Sequence, residues 1–221
     1  MPATDLPRPL AALARACEAH LRETTEADAA HDLAHVRRVV RWAVRLAREE
    51  GADLAVVVPA AWLHDCVTVP KGSPDRARAS ALAAEAGVAW LRGRPEVDPA
   101  TFPAIAHAIH AHSFSAGVQP GTPEARVVQD ADRLDALGAI GIARCYATAG
   151  AMGSALLHPD DPVPTEPPAR ALDDRRYATD HFFAKLLRLP QTMQTEAGRR
   201  EAARRAAFLR TFLSQLAREA A

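Results

Sequence analysis

Cysteine is scarce in this chain, and so are aromatic residues. Cys17, Cys66 and Cys145 are odd in number and far apart among 221 residues, which excludes a disulfide framework and points to a reduced, cytoplasmic setting. Aromatics make up 5% of residues, too few to favour strands. Neither sign of charge is in excess. The 27 Lys and Arg face 27 Asp and Glu, which argues against a broad nucleic-acid surface, because counterion-release binding needs surplus cations. Long apolar runs are also missing: the longest uncharged one, Leu54 to Leu63, is about half a membrane span. Asp5, Arg8 and Arg15 interrupt the N-terminus where an export signal needs an apolar core. No repeat of about 20 to 50 residues appears, which excludes a solenoid. The expected partner is a small molecule, with no nucleic acid and no membrane, and one sequence leaves the oligomeric state unreadable.

What remains is rich in Ala, Leu and Arg, which favours helices. The expected architecture is a single all-α domain over residues 1–221, a bundle of about seven to nine helices. From Asp32 to Glu50 the residues Val36, Val39, Val40, Ala43, Val44, Leu46 and Ala47 keep the helical period, and Gly51 stands where a left-handed cap ends a helix. Ser73-Pro74, Asp98-Pro99 and Thr122-Pro123 each set a capping side chain before a proline suited to the first helical position. They predict helices over about 74–92, 99–111 and 123–137, the last resuming after Gly138 and Gly141 towards Thr148. Val56-Val57-Val58-Pro59 could also form a buried strand, and it is kept helical here. Further helices are expected over about 173–189 and 195–218. The segment from Met152 to Leu172 holds Pro159, Pro162, Pro164, Pro167 and Pro168. It is expected to be a long loop, either gating a site or serving as a flexible excursion.

The strongest chemical signal is the pair His64-Asp65 at the end of the apolar stretch. His35 lies on the preceding helix with the inward stripe, and Asp130, Asp132 and Asp135 lie on a later one. Two imidazoles and two carboxylates make a borderline-hard site suited to Mn²⁺, Mg²⁺, Co²⁺, Fe²⁺ or Zn²⁺, with no need of thiolate. A divalent ion of that kind lowers the pKa of a water and polarises a phosphoryl oxygen, so the natural chemistry is hydrolysis of a phosphate ester or anhydride. The bland alternatives are a hydrogen-bonded core histidine and a solvated acidic helix face.

The chain resembles the HD-domain metal-dependent phosphohydrolase superfamily, whose pattern is a histidine, a His-Asp pair and a distant aspartate on helices. The runs HDLAHVRRV, AAWLHDCV, HAHSFS, VQDADRLDALGAIGIAR and DHFFAKLLRL are similar to its YedJ/YpgQ-like branch and cover about residues 31–210. The resemblance implies metal ligation by His35, His64, Asp65 and Asp132, with Mn²⁺ the favoured ion. His31, one turn before His35, competes for the first of these roles and is otherwise grouped with the substrate contacts. The resemblance also implies a nucleotide substrate, through triphosphate pyrophosphohydrolysis or phosphatase action. Cys66-Val67 stands where other branches follow His-Asp with an acidic pair, which weighs against alarmone substrates.

Arg38, Lys71 and Arg133 lie near the three ligand segments and are candidate phosphate clamps, with exposed surface cations as the alternative. His107, His110 and His112 carry three open readings: helix-end hydrogen bonding, phosphate or proton contact from His110 or His112, and ligation of a second ion. Asp135, and after it Asp130, could orient water or a ligating histidine. Cys66 reads as a small buried residue rather than a nucleophile. His181 and Lys185 read equally well as cleft residues and as structural ones. Two other functional classes stay open: a di-iron oxygenase using the extra histidines, and a non-catalytic ligand-sensing domain.

Overall fold

The computed structural model describes residues 6–24, 33–69, 78–113 and 116–220. Its architecture is all-α. The described residues form nine α-helices: α1 (Arg8–Thr24), α2 (Leu33–Glu50), α3 (Leu54–Leu63), α4 (Ala79–Leu91), α5 (Phe102–Ala111), α6 (Pro123–Asp135), α7 (Gly138–Ala151), α8 (Asp180–Ala184) and α9 (Glu196–Glu219). Among them no helix is long and apolar enough to cross a membrane. The chain falls into two compact units, Met1–Asp132 and Arg133–Ala221.

In the first unit, α3 sits at the centre. Every residue from Val56 to Leu63 is buried, which explains why its sequence is apolar all round rather than striped. α1, α2, α4 and α5 pack against it. The three β-branched residues before Pro59 stay helical, because that helix is held by packing on all sides rather than by propensity. Asp53 caps it, accepting a hydrogen bond from the Ala55 amide at 2.8 Å. α2 buries the predicted stripe from Val36 to Ala47 except Val44, which is half-buried, and ends at Gly51, whose φ of 71° only glycine adopts without strain. α1 is absent from the helices expected on sequence. Its inward residues Leu13, Ala14, Cys17 and Leu21 nonetheless keep the helical period. The Asp98 cap launches a 3-10 turn, Pro99–Thr101, before α5 begins. Ser73-Pro74 lies outside the described residues, and α4 is described from Ala79.

In the second unit, α7 packs against α9, and an aromatic cluster of Tyr146, Phe182 and Phe212 joins α7, α8 and α9. The turn into α7 is tight. Gly138 has a φ of 70°, and a Cβ on Gly141 would lie 2.2 Å from the Ala136 carbonyl oxygen. The helix expected over 173–189 breaks into turns, the short α8 and a 3-10 stretch, Leu186–Thr192. The cause is competition for the backbone: the Ala178 and Thr179 amides donate to the Ala155 and Leu156 carbonyls, and the Arg176 carbonyl accepts from the Ala155 amide in a bridge between the two segments.

The proline-rich segment is without helix, as expected, but it is pinned. Arg170 grips the buried Asp180 carboxylate with two hydrogen bonds of 2.7 and 2.6 Å and also pairs with Asp161 at 2.9 Å. The Asp173 amide donates to Asp180 as well, at 2.7 Å. Burial alone would raise the Asp180 pKa, but these donors and the Arg170 charge outweigh it and hold the carboxyl below its ordinary value. A loose excursion does not fit this anchoring.

Candidate metal centre

Four elements of the first unit each deliver a side chain to one place. α2 brings His35 on its buried stripe, and α3 ends at His64 and Asp65. α5 ends at His112, and α6 carries Asp132 in its last turn. A backbone tie, from the Asp53 amide to the Glu124 carboxylate at 3.1 Å, joins the starts of α3 and α6.

His64 and His112 are held by the same local device. Each caps the C-terminus of a ten-residue helix, where unpaired carbonyls are available. His64 donates from Nδ1 to the Ala61 carbonyl at 2.8 Å, and His112 donates from Nδ1 to the Ile109 carbonyl at 2.5 Å. That fixes both ring orientations and turns both Nε2 atoms towards the carboxylates. The His64 ring stands edge-on to those of His35 and His112, with centroids 5.5 and 4.9 Å away.

Asp65 spreads its carboxylate across the cluster. One oxygen lies 3.5 Å from His64 Nε2 and 3.9 Å from His35 Nε2, and the other lies 3.5 Å from His112 Nε2. Asp132 completes the group at 3.5 Å from His35 Nε2 and 3.9 Å from His64 Nε2. The imidazoles are buried, while about a third of each carboxylate side chain is exposed. Solvent therefore reaches the site from the acidic side.

Electrostatics separate two of the histidines. Burial pushes the His64 pKa down, and the nearby acids only partly counter it, so its ring stays neutral with a lone pair on Nε2. Burial acts in the same direction on His112, but hydrogen bonding to Asp65 and the charges of Asp65 and Asp132 outweigh it and raise its pKa. Both nitrogens of that ring face acceptors, the condition that favours an imidazolium.

This donor set fits a divalent cation. His64 Nε2 is buried and makes no hydrogen bond, which is costly for an imidazole nitrogen unless something else takes its lone pair. His35, His64 and Asp132 present ligand atoms within 4.8 Å of one another, as do His64, Asp65 and His112. Nitrogen and oxygen donors in this number suit a borderline-hard ion and leave room for small ligands.

Among the described residues, the other candidates fall outside both metal-capable groups. Asp135 is buried and paired with Arg144 at 2.9 Å, and Arg133 donates to the Thr192 carbonyl at 2.6 Å. Asp130 is also buried, which excludes the solvated acidic face as a description of that helix. Arg38 is half-buried on α2, and His110 is half-buried on α5 outside both metal-capable groups. His107 accepts from the Gly121 amide at 2.9 Å and latches the α5–α6 connection. His31 and Lys71 lie outside the described residues. His181 donates to Asp174 at 2.9 Å within the second unit. Burial pushes the Cys66 thiol up to about 12, so it is no nucleophile at neutral pH. Sequence reasoning left His112 among three open readings. The available signal was its position directly after an apolar helix of the same length as the one before His64.

Comparison with known proteins agrees with this geometry. A family model described as HD domain matches residues 32–137. The uncharacterized protein YpgQ of Bacillus subtilis is 34% identical over 200 residues, spanning 88% of this chain and 87% of that one. The crystal structure of B. subtilis YpgQ in complex with ADP aligns with a TM-score of 0.71 at 32% identity, covering 93% of this chain and 97% of that one. A crystal structure of an HD-superfamily hydrolase from Bacillus thuringiensis aligns with a TM-score of 0.72 at 31% identity, covering 95% and 97%. A buried histidine, a His-Asp pair and a distant aspartate gathered on helices, together with relatives matched over nearly their whole length, place this chain in the HD-domain superfamily, in its YpgQ-like branch.

Proposed function

We propose that this protein is a metal-dependent phosphohydrolase acting on a small phosphorylated metabolite, a nucleotide by preference, as a triphosphate pyrophosphohydrolase or a nucleotide phosphatase. The observation that carries the reading is the buried His64 ring, its Nε2 without a hydrogen bond, aimed with His35 at two carboxylates that are about a third exposed. The crystallisation of B. subtilis YpgQ with ADP supports the nucleotide class.

In this reading His35, His64, Asp65 and Asp132 hold the ion. When bound, it supplies Lewis acidity towards a water and a non-bridging phosphoryl oxygen. The chain's own residues do the rest. The Ala61 carbonyl keeps the His64 proton on Nδ1, which leaves Nε2 as a donor atom. His112 holds a proton at Nε2 against one oxygen of Asp65, leaving the other towards His35 and His64. Of the three proton-handling candidates, His112 is favoured over His110 and Asp135, because its ring nitrogen faces a carboxylate of the cluster. Arg38 and Lys71 are the cations proposed for the phosphates, with His31 a further substrate contact, whereas Arg133 is engaged with the Thr192 carbonyl.

The test is release of phosphate or pyrophosphate across a panel of nucleotides and phosphomonoesters with Mn²⁺, Co²⁺ or Mg²⁺. Turnover by the native protein and its loss in His64→Ala are expected. No release with any of the three ions, or equal release by both proteins, would overturn the proposal.

A further inference from the structure

Gln129 is the one uncharged residue among the buried polar groups of α6, whose other two are Asp130 and Asp135. It is 2% exposed, and its amide Nε2 donates to the Ala111 carbonyl at 2.6 Å. Only the NH₂ end of the amide can make that bond, because the partner is a pure acceptor. Its own Oε1 is buried and makes no hydrogen bond. A leucine would fill the same space without burying an unsatisfied carbonyl, so stability alone does not account for glutamine here.

What the bond joins gives it a purpose. Ala111 is the last residue of α5 and directly precedes His112. Gln129 stands three residues before Asp132, less than one turn away on α6. One hydrogen bond therefore ties the helix carrying Asp132 to the helix end carrying His112, and His112 in turn lies 3.5 Å from Asp65. The Asp53–Glu124 tie fixes only the far end of α6, and the His107–Gly121 latch fixes the connection before it. Neither acts at the cluster.

We infer that Gln129 is a positioning residue for the metal centre: through the Ala111 carbonyl it sets the separation between Asp132 and the His112–Asp65 pair. This rests on the metal-site reading above and adds to it a residue that touches neither ion nor substrate. The expected consequence of its loss is weaker metal binding by about 10- to 100-fold, the range for groups that orient ligands from behind.

The experiment uses Co²⁺ alone on the full chain. Calorimetry gives affinity, visible absorption reports the geometry around the ion, and thermal melts report folding. Gln129→Met keeps the volume and removes the donor. Gln129→Asn keeps the amide one methylene short and serves if the methionine variant does not fold. His107→Leu removes the neighbouring latch without touching Ala111. The expected result is weakened affinity and an altered Co²⁺ spectrum in the Gln129 variants, while His107→Leu lowers only the melting temperature. A folded Gln129 variant with native affinity and spectrum overturns the inference, and so does a spectral change shared equally by His107→Leu. Failure of the native protein to bind Co²⁺ in a His64-dependent way would instead overturn the metal reading itself.

Discussion

Each compact unit holds an acidic cluster, and the two differ in how their bonding capacity is used. In the second unit Asp180 is fully buried and its oxygens are taken by the Arg170 guanidinium and the Asp173 amide. In the first unit two carboxylates, each about a third exposed, face three imidazoles, and His64 Nε2 makes no hydrogen bond. The one is a closed knot that anchors a proline-rich segment, and the other is an arrangement that binding completes. Buried charge by itself therefore does not mark a functional site. A buried ligand atom that faces converging carboxylates without a hydrogen bond, here His64 Nε2, does.

The largest expected effect is catalytic. Asp132→Ala, like His64→Ala, is expected to bring metal-dependent phosphate release to background, whereas Asp180→Ala is expected to retain it in the folded fraction at low temperature. Loss of turnover in folded Asp180→Ala would erase the distinction between the clusters.

Stability should show the reverse order. Asp180→Ala leaves the Arg170 guanidinium without its main partner and is expected to cost about 3 kcal/mol, measured by denaturant unfolding. Metal should act only on the first unit's cluster. Mn²⁺ at about 100 times its dissociation constant is expected to add about 2.7 kcal/mol to the native protein. That gain should persist in Asp180→Ala and vanish in His64→Ala.

The smallest effect concerns acid. The Asp180 carboxyl titrates below its unfolded value of about 3.9 in the folded chain. Its stabilisation is thus complete above that value and is lost as the pH falls through the folded-state one. Melting temperature should fall below about pH 4 in the native protein and fall less steeply in Asp180→Asn. Parallel acid slopes would assign the loss to other carboxylates.

Much of this was legible from residue pattern. The α2 stripe and its Gly51 stop, the Thr122 start of α6 and the two-glycine turn into α7 are local signals with local causes. Where bonds to another segment compete, the pattern failed. Over 173–179 the Ala178 and Thr179 amides go to the Ala155 and Leu156 carbonyls instead of to a helix. α1 was missed because alanine and cysteine make its buried stripe weakly apolar. At the site, the types and order of His35, His64, Asp65 and Asp132 were readable, and the structure gathers those four side chains. The place of His112 beside Asp65 was not readable, since no periodicity links residues on separate helices. Gln129 was invisible for a different reason. A neutral amide carries no chemical signal until its burial and its partner are seen.

The most direct measurement is anomalous diffraction from a crystal of the full chain soaked in Mn²⁺. The expected result is one strong peak bounded by His35, His64, Asp65 and Asp132, lost in His64→Ala crystals. A peak elsewhere, or none under saturating Mn²⁺, would contradict the metal centre on which the proposed hydrolysis depends.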